Sequence, residues 1–396
     1  MRVVIALASS SGQLSGIPRH AINLARCLLT RSEIAEVHLV AAPWQQGFVR
    51  DASPRGDTRL HLHSAPIGNS ALSRNLWFYA ELPKLADQMN ADLVHLAYPA
   101  PIKLGAYHCP TVVTLHDLYP YDIPENFGFP KVFFNRAVLR RCLRRVNAIA
   151  CVSNSTLSRL KSLDASTAQK ATVIYNSVEP PTMPAMETAP AELKNRPFLL
   201  CVAQHRRNKN VLLVLQVFER LLQARQITAE TRLVVVGSHG PETSAIRAYI
   251  AYAGMTNKVV LLNGISEAQL DWCYRNCGLL LAPSKIEGFG LPVAEALLAG
   301  CRVVCSDIPA FRELGGSDCH YVSLGQQEVK AFADAVRAAL GQALPGPIAL
   351  PQFSAPVIAQ EYMHLYRSLL PLRARNVDLQ QTQIPPQAER RIPYEL

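Results

Sequence analysis

From residue 2 onward, short runs of Val, Ile, Leu and Ala alternate with longer stretches whose apolar residues recur every three or four positions. RVVIALA, VHLVAAP, ADLVHLAYP, TVVTLHD, AIACVS and TVIYN have the length and β-branched content of strands. IPRHAINLARCLL, ALSRNLWFYAELPKLADQM, KVFFNRAVLRRCLRR and STLSRLKSL carry helical periodicity. Alternation of this kind predicts βαβ units built on a parallel sheet.

The pattern breaks at EPPTMPAMETAPAELKNRP (179–197), which holds five prolines and little apolar content. Such a composition predicts a linker. The alternation then restarts with FLLCVAQ, LVVVGS, KVVLLNG, LLLAPS, RVVCSD and HYVSL, separated by helical segments beginning near Val211, Glu242, Glu267, Pro292 and Gln327. The predicted class is α/β: two Rossmann-like, doubly wound parallel-sheet domains facing each other across a cleft. Ligands of such sheets bind outside the carboxyl ends of the strands. The expected boundaries are an N-terminal domain over 1–180, a Pro-rich linker over 181–197 and a C-terminal domain over 198–353. A last helix over 354–370 is expected to cross back to the N-terminal domain, and 371–396 reads as a polar, loosely ordered tail.

Composition narrows the function classes. Of the 396 residues, 49% are apolar and 18% charged, which fits a packed globular protein and excludes intrinsic disorder. No apolar run approaches the roughly 18 residues of a membrane span. The apolar core at the N-terminus, Val3 to Ala8, is shorter than the roughly 7–15 residues of a signal-peptide core, so it reads as a first strand and a cytoplasmic location is expected. The ten cysteines are scattered through apolar stretches, as buried thiols are. Cys273/Cys277 and Cys301/Cys305 share a four-residue step, but the first pair lies in a helical pattern and the second in a strand pattern. Neither has zinc-knuckle spacing, and no metal is expected. The net charge of +10 is local in origin: six bases fall in the acid-free segment 131–145, which points to a phosphate-bearing partner or surface.

The chemistry concentrates in LLLAPSKIEGFGLPVAEALLAGCRVVCSD. A strand ends near Ser284, a Gly-containing loop follows, and a helix starts at Pro292, where a missing amide costs nothing. Gly288 and Gly290 let the backbone approach a ligand, and the amides and positive end of the helix favour an anion. Glu295 lies in the first turn with its side chain tilted back toward the same spot, and Glu287 sits in the loop. Carboxylates would repel a phosphate, so the pair is suited to accept hydrogen bonds from sugar and ribose hydroxyls.

Glu287, seven residues, then Glu295, within EGFGLPVAEALLAG, resembles the signature of the retaining glycosyltransferases of family 4, also called group 1. The resemblance continues through LNGISEAQL and CRVVCSDIPAFREL and, in the first half, through GIPRHAINLARCL, VVTLHDLYP, CVSNST and VIYNSVE. It implies the GT-B fold, in which two Rossmann-like domains enclose a nucleotide sugar. It further implies that Glu295 contacts the ribose and Glu287 the donor sugar. The backbone of Gly288, Phe289, Gly290 and Leu291 would face sugar and phosphates, Gly16 would approach the diphosphate from the other domain, and His116 would project toward the reacting carbon. The implied reaction retains anomeric configuration, uses no metal or other cofactor, and draws on a UDP- or GDP-linked donor. Read alone, His116 is a strand-end histidine held by Asp117, and His20, His95, His108 and His205 are structural.

A basic pair after the first strand of the second domain neutralises the diphosphate in that family. Here the segment is CVAQHRRNKN. Lys209 matches the lysine, while Gln204 stands where the arginine is usual, leaving Arg206 or Arg207 as the replacement. Such a cluster at a strand's carboxyl end suits a diphosphate.

In 131–145, Val132, Val138, Leu139, Cys142 and Leu143 gather on one helical face, with Val146 just beyond. Arg136, Arg140, Arg141, Arg144 and Arg145 occupy the other half together with Phe133 and Phe134. Cations interleaved with aromatics suit an anionic membrane surface, and the family acts on lipid-linked acceptors at the cytoplasmic leaflet. The expectation is a peripheral enzyme adding a hexose, mannose among the candidates, to a lipid-linked saccharide of a bacterial surface polysaccharide. Nucleic acid is not an expected partner. An oxidoreductase reading fails because SSSGQLSGIPRH lacks G-x-G-x-x-G. A catalytically silent sugar-nucleotide-binding partner is the alternative that Gln204 keeps open.

Overall fold

The computed structural model describes residues 1–370 other than 55, 104, 180–188, 194 and 195. The predicted linker therefore lies largely, and the predicted tail wholly, outside the described residues.

The first seven strands are β1 (Arg2–Ala6), β2 (Glu36–Ala41), β3 (Leu60–Ser64), β4 (Leu93–Leu96), β5 (Thr111–Leu115), β6 (Ala148–Cys151) and β7 (Ala171–Val173). They form one sheet in the order β3-β2-β1-β4-β5-β6-β7. The other six are β8 (Phe198–Val202), β9 (Arg232–Val236), β10 (Val259–Leu262), β11 (Leu280–Ala282), β12 (Val303–Ser306) and β13 (His320–Val322). Their order is β10-β9-β8-β11-β12-β13. Every pairing in both sheets is parallel. Helices cover both faces, so the central strands are apolar on both sides, and Val3 to Ala6 of β1 are completely buried.

Strand order reverses beside β1 in the first sheet and beside β8 in the second. These are the switch points where a crevice opens at the carboxyl ends. The loops leaving β1, β5, β8 and β11 carry Gly16, His116, Lys209 and Glu287. Topology alone thus gathers four distant segments at one cleft.

Several elements were not legible in the alternation, among them the helix Gln46–Ala52. Strand β3 reads LHLHS; its alternate histidines mask the apolar run, and His63 joins His38 of β2 at 3.0 Å. The short helix Pro309–Gly315 follows β12 where no helix was predicted. All ten cysteines are free, and nine are buried.

The chain crosses between domains twice, and the crossings touch: the Val178 amide donates to the Phe353 carbonyl at 2.9 Å. Beyond the second crossing, the helix Ala355–Leu369 lies along the helix Gly16–Leu29 of the first domain. Its Tyr362 and Tyr366 are completely buried there, and the Tyr366 hydroxyl meets His95 Nδ1 at 2.6 Å.

The helix Lys131–Arg145 buries Val132, Leu139, Cys142 and Leu143 and leaves Phe133 and Phe134 58% and 54% exposed. The outward half is less free than its sequence predicts. Arg136 donates to the Pro120 carbonyl, Arg145 to the Ile102 carbonyl, and Arg144 pairs with Asp164 at 3.0 Å. Packing requirements of the neighbouring loops claim these three, and Arg140 and Arg141 remain outward.

Candidate active site

Helix Leu291–Leu298 begins at Gly290, whose φ of 109° is a left-handed conformation suited to glycine. A Cβ there would also stand 2.7 Å from the Phe311 ring. The helix start has no side-chain cap and Pro292 contributes no amide, while the Val293 amide is taken by the Gly290 carbonyl at 2.9 Å. Phe289 faces away from the cleft: it is buried edge-on against Phe353 at 5.2 Å and beside Tyr175. Of Phe289, only the backbone faces the site.

Both glutamates are occupied. Lys209 Nζ lies 2.6 and 2.7 Å from the two Glu287 oxygens, and the Ser284 hydroxyl donates to Oε1 at 2.7 Å. Tyr119, from the first domain, approaches Oε2 at 3.4 Å. Glu295 receives the Tyr274 hydroxyl at 2.8 Å on Oε2 and an ion pair from Arg19 on Oε1. Arg19 belongs to the other domain, in helix Gly16–Leu29, and its second nitrogen reaches Glu267 at 3.2 Å. Each glutamate is therefore matched by one cation and one tyrosine. Burial holds both tyrosines well above their ordinary pKa, so both stay protonated donors.

The basic loop after β8 resolves which arginine faces the cleft. Arg207 is exposed on the turn Arg207–Lys209, whereas Arg206 is half-buried and near enough to Asp117 and Tyr119 to lower the pKa of each.

His116 is half-buried, with Nε2 at 2.8 Å from the Ala97 carbonyl and its ring edge-on to His20 at 4.8 Å. A carbonyl only accepts, so Nε2 carries the proton and Nδ1 remains an acceptor. Burial lowers its pKa to about 4, so the ring is neutral near pH 7. Asp117 does not hold it, contrary to the sequence reading. The Asp117 carboxylate accepts the Tyr119 amide at 3.0 Å instead, and burial raises its pKa to about 6. His20 and His95 share the Thr114 hydroxyl at 3.0 and 2.7 Å, inside the first domain.

Gly16 opens the helix that carries Arg19, and nothing lies within 4 Å of where its Cβ would stand. The lips of the two domains meet through Asn126 and Asn208 at 3.1 Å and through the Ser153 hydroxyl on the Gly288 carbonyl at 2.5 Å. Arg19, Tyr119 and Tyr274 were not singled out from sequence. Arg19 and Glu295 are 276 positions apart, and no local pattern links them.

Comparison with known proteins follows the same two-part division. Residues 14–180 match the family described as Glycosyltransferase Family 4, and residues 185–343 match Glycosyl transferases group 1. The chain belongs to the group 1/family 4 glycosyltransferases. The O-antigen chain mannosyltransferase RfbU of Salmonella typhimurium is 25% identical over 226 residues, covering 57% of this chain and 59% of that protein. The O-antigen chain mannosyltransferase B of Escherichia coli is 24% identical over 341 residues, 80% of this chain and 85% of that one. The match to RfbU thus spans about three-fifths of that relative's length. The solved structure of WaaG, a glycosyltransferase involved in lipopolysaccharide biosynthesis, superposes with a TM-score of 0.63 at 18% identity, over 95% of this chain and 99% of that one. At that identity the likeness shows the shared GT-B fold.

Proposed function

We propose that this glycosyltransferase moves a hexose from a nucleoside diphosphate donor to a hydroxyl of a lipid-borne saccharide during assembly of a bacterial surface polysaccharide. Mannose is the sugar favoured by the two relatives. The observation that carries the reading is the placement of Glu287 and Glu295, by one loop and helix start, opposite cations at the switch points of both sheets.

Each role follows from the local chemistry. Glu295 accepts the ribose hydroxyls, and Glu287, anchored by Lys209 and Ser284, accepts from the donor sugar. Lys209 and Arg206 stabilise the departing diphosphate together with the amides of Gly288 to Leu291 and the Gly16 loop, so the chain's own charges perform the task a metal would otherwise serve. Neutral His116 offers Nδ1 to a sugar hydroxyl beside the reacting carbon. Configuration is retained, as for the family the motif resembles. A catalytically silent partner would not need a second cation in place of Gln204, and the inward setting of Arg206 favours an enzyme.

The acceptor is delivered at the inner face of the membrane. Phe133 and Phe134, with Phe129 at 85% exposure, project beside Arg140 and Arg141 and form the docking surface for an anionic leaflet. Among the described residues no helix is long and apolar enough to cross a membrane.

The test is thermal shift with UDP, GDP and their sugars, followed by transfer assays on lipid-linked saccharides. A ligand at 100 times its Kd adds about 2.7 kcal/mol of stability. Stabilisation by one nucleotide series and a product of retained configuration support the reading. No stabilisation by any nucleoside diphosphate or its sugar overturns it.

A further inference from the structure

Arg19 holds an unusual position. It stands one turn into the helix Gly16–Leu29, whose N-terminal Ser15 offers no side-chain cap and whose first turn holds no acid. Its side chain is 20% exposed and spans the cleft to two carboxylates of the other domain, Glu295 and Glu267. Yet its Nε is buried without any partner. A guanidinium has five N–H donors in a fixed fork, and an orphaned buried donor costs free energy unless some state of the protein supplies an acceptor. Neither glutamate provides that acceptor here.

The charge pattern says which acceptor fits. In this structure Lys209 lies on Glu287 and Arg19 on Glu295, so two cations that face the cleft are cancelled by two carboxylates. Under the proposed function, ribose hydroxyls donate to Glu295. They compete for the same Oε1 that Arg19 now occupies. An arginine released there is left beside the uncapped amides of its own helix and the Gly16 loop, which all favour an anion. A diphosphate supplies paired oxygens in the geometry the fork prefers.

We propose that Arg19 is a donor-binding residue that exchanges Glu295 for an oxygen of the donor's diphosphate. The cross-cleft ion pair is then the latch of the donor-free protein, and the incoming nucleotide replaces it at both ends: ribose on Glu295, phosphate on Arg19. This inference depends on the nucleotide-sugar reading of the same cleft. It adds a third cation, from the first domain, to the pair on the β8 loop.

Calorimetry on the full chain separates the possibilities, with GDP, UDP, guanosine and uridine as probes and wild type, Arg19→Ala and Arg19→Lys as proteins. For the diphosphate that wild type binds, Arg19→Ala is expected to weaken affinity about tenfold or more. Affinity for the matching nucleoside, which has no phosphate, is expected to hold or tighten because Glu295 has lost its competitor. Arg19→Lys keeps the charge without the fork and is expected to fall between; it carries the same comparison should the alanine variant not fold. Equal weakening of diphosphate and nucleoside overturns the exchange, since Arg19 then acts only through the shape of the cleft. Unchanged or tighter diphosphate binding also overturns it. Failure of wild type to bind any nucleoside diphosphate is a different result, and it removes the donor reading itself.

Discussion

The backbone of Gly288 lies so close to the carbonyl of His116 that a Cβ at position 288 would overlap that oxygen. The obstacle is main chain from the opposite domain, so it cannot swing aside as a side-chain tip could. Gly288→Ala is therefore expected to force the domains or the loop apart, carrying Glu287 with it. A displacement near 1 Å at a reacting centre costs about 100-fold in kcat/KM. Steady-state kinetics should show that loss. A variant with wild-type kinetics would mean the two domains do not close in this way during turnover.

The cations around the diphosphate position should separate by exposure. Under the proposed function, Lys209→Ala is expected to lower kcat by roughly 100-fold or more, since it removes a charge assigned to the leaving group. Arg206→Ala should show a comparable loss, and Arg207→Ala should stay within about twofold. An active Arg206→Ala with a crippled Arg207→Ala would reverse the assignment drawn from their burial.

Membrane attachment should depend on a few outward residues. Arg140 and Arg141 each contribute about 1 kcal/mol near an anionic leaflet, an attraction that fades within a Debye length of roughly 8–10 Å. Vesicle sedimentation is expected to show binding to anionic liposomes, loss at high salt, and loss in Arg140→Gln/Arg141→Gln. Adding Arg144→Gln should change little, since Arg144 is already paired with Asp164. Equal binding to neutral vesicles would make the helix an ordinary solvated surface.

Acid stability should report the three histidines whose protonation the fold disfavours. Burial lowers the pKa of His95 to about 3, of His116 to about 4, and of His20 well below 6.5. The unfolded chain binds these protons near pH 6.5 while the folded chain refuses them. Stability is thus full above pH 6.5 and falls as pH drops, by about 1.4 kcal/mol per pH unit for each group, until its folded pKa is reached. Asp117, raised to about 6, works the other way: its contribution declines as pH rises from about 4 to 6. Three histidines outweigh one aspartate. Urea unfolding at pH 4.5, 5.5, 6.5 and 7.5 should show a steep acid limb, shallower by one group in His95→Gln. An acid limb of unchanged slope in that variant would contradict the neutral buried state.

The parts legible in sequence were those decided locally. Apolar runs such as RVVIALA and FLLCVAQ became central strands because burial on both faces leaves no polar alternation to confuse the pattern. The edge strand β3 escaped because histidines at alternate positions leave it only half apolar. The loop around Glu287 was legible from its glycines and Pro292, whose conformational demands are written in the residues themselves. Arg19, Tyr119 and Tyr274 were not, because their importance comes only from the approach of a second domain. Arg136 and Arg145 show the same limit in reverse: helical periodicity placed them outward, and loops distant in sequence took their donors.

Val178 and Phe353 sit on the two chain crossings and are hydrogen-bonded to each other. A body tethered by a single strand can swing, twist and slide. Two tethers fixed side by side behave like the knuckles of a door hinge and leave one cheap motion, rotation about the line that joins the domains there. Tyr175 and Phe289 pack their rings on Phe353 beside that bond.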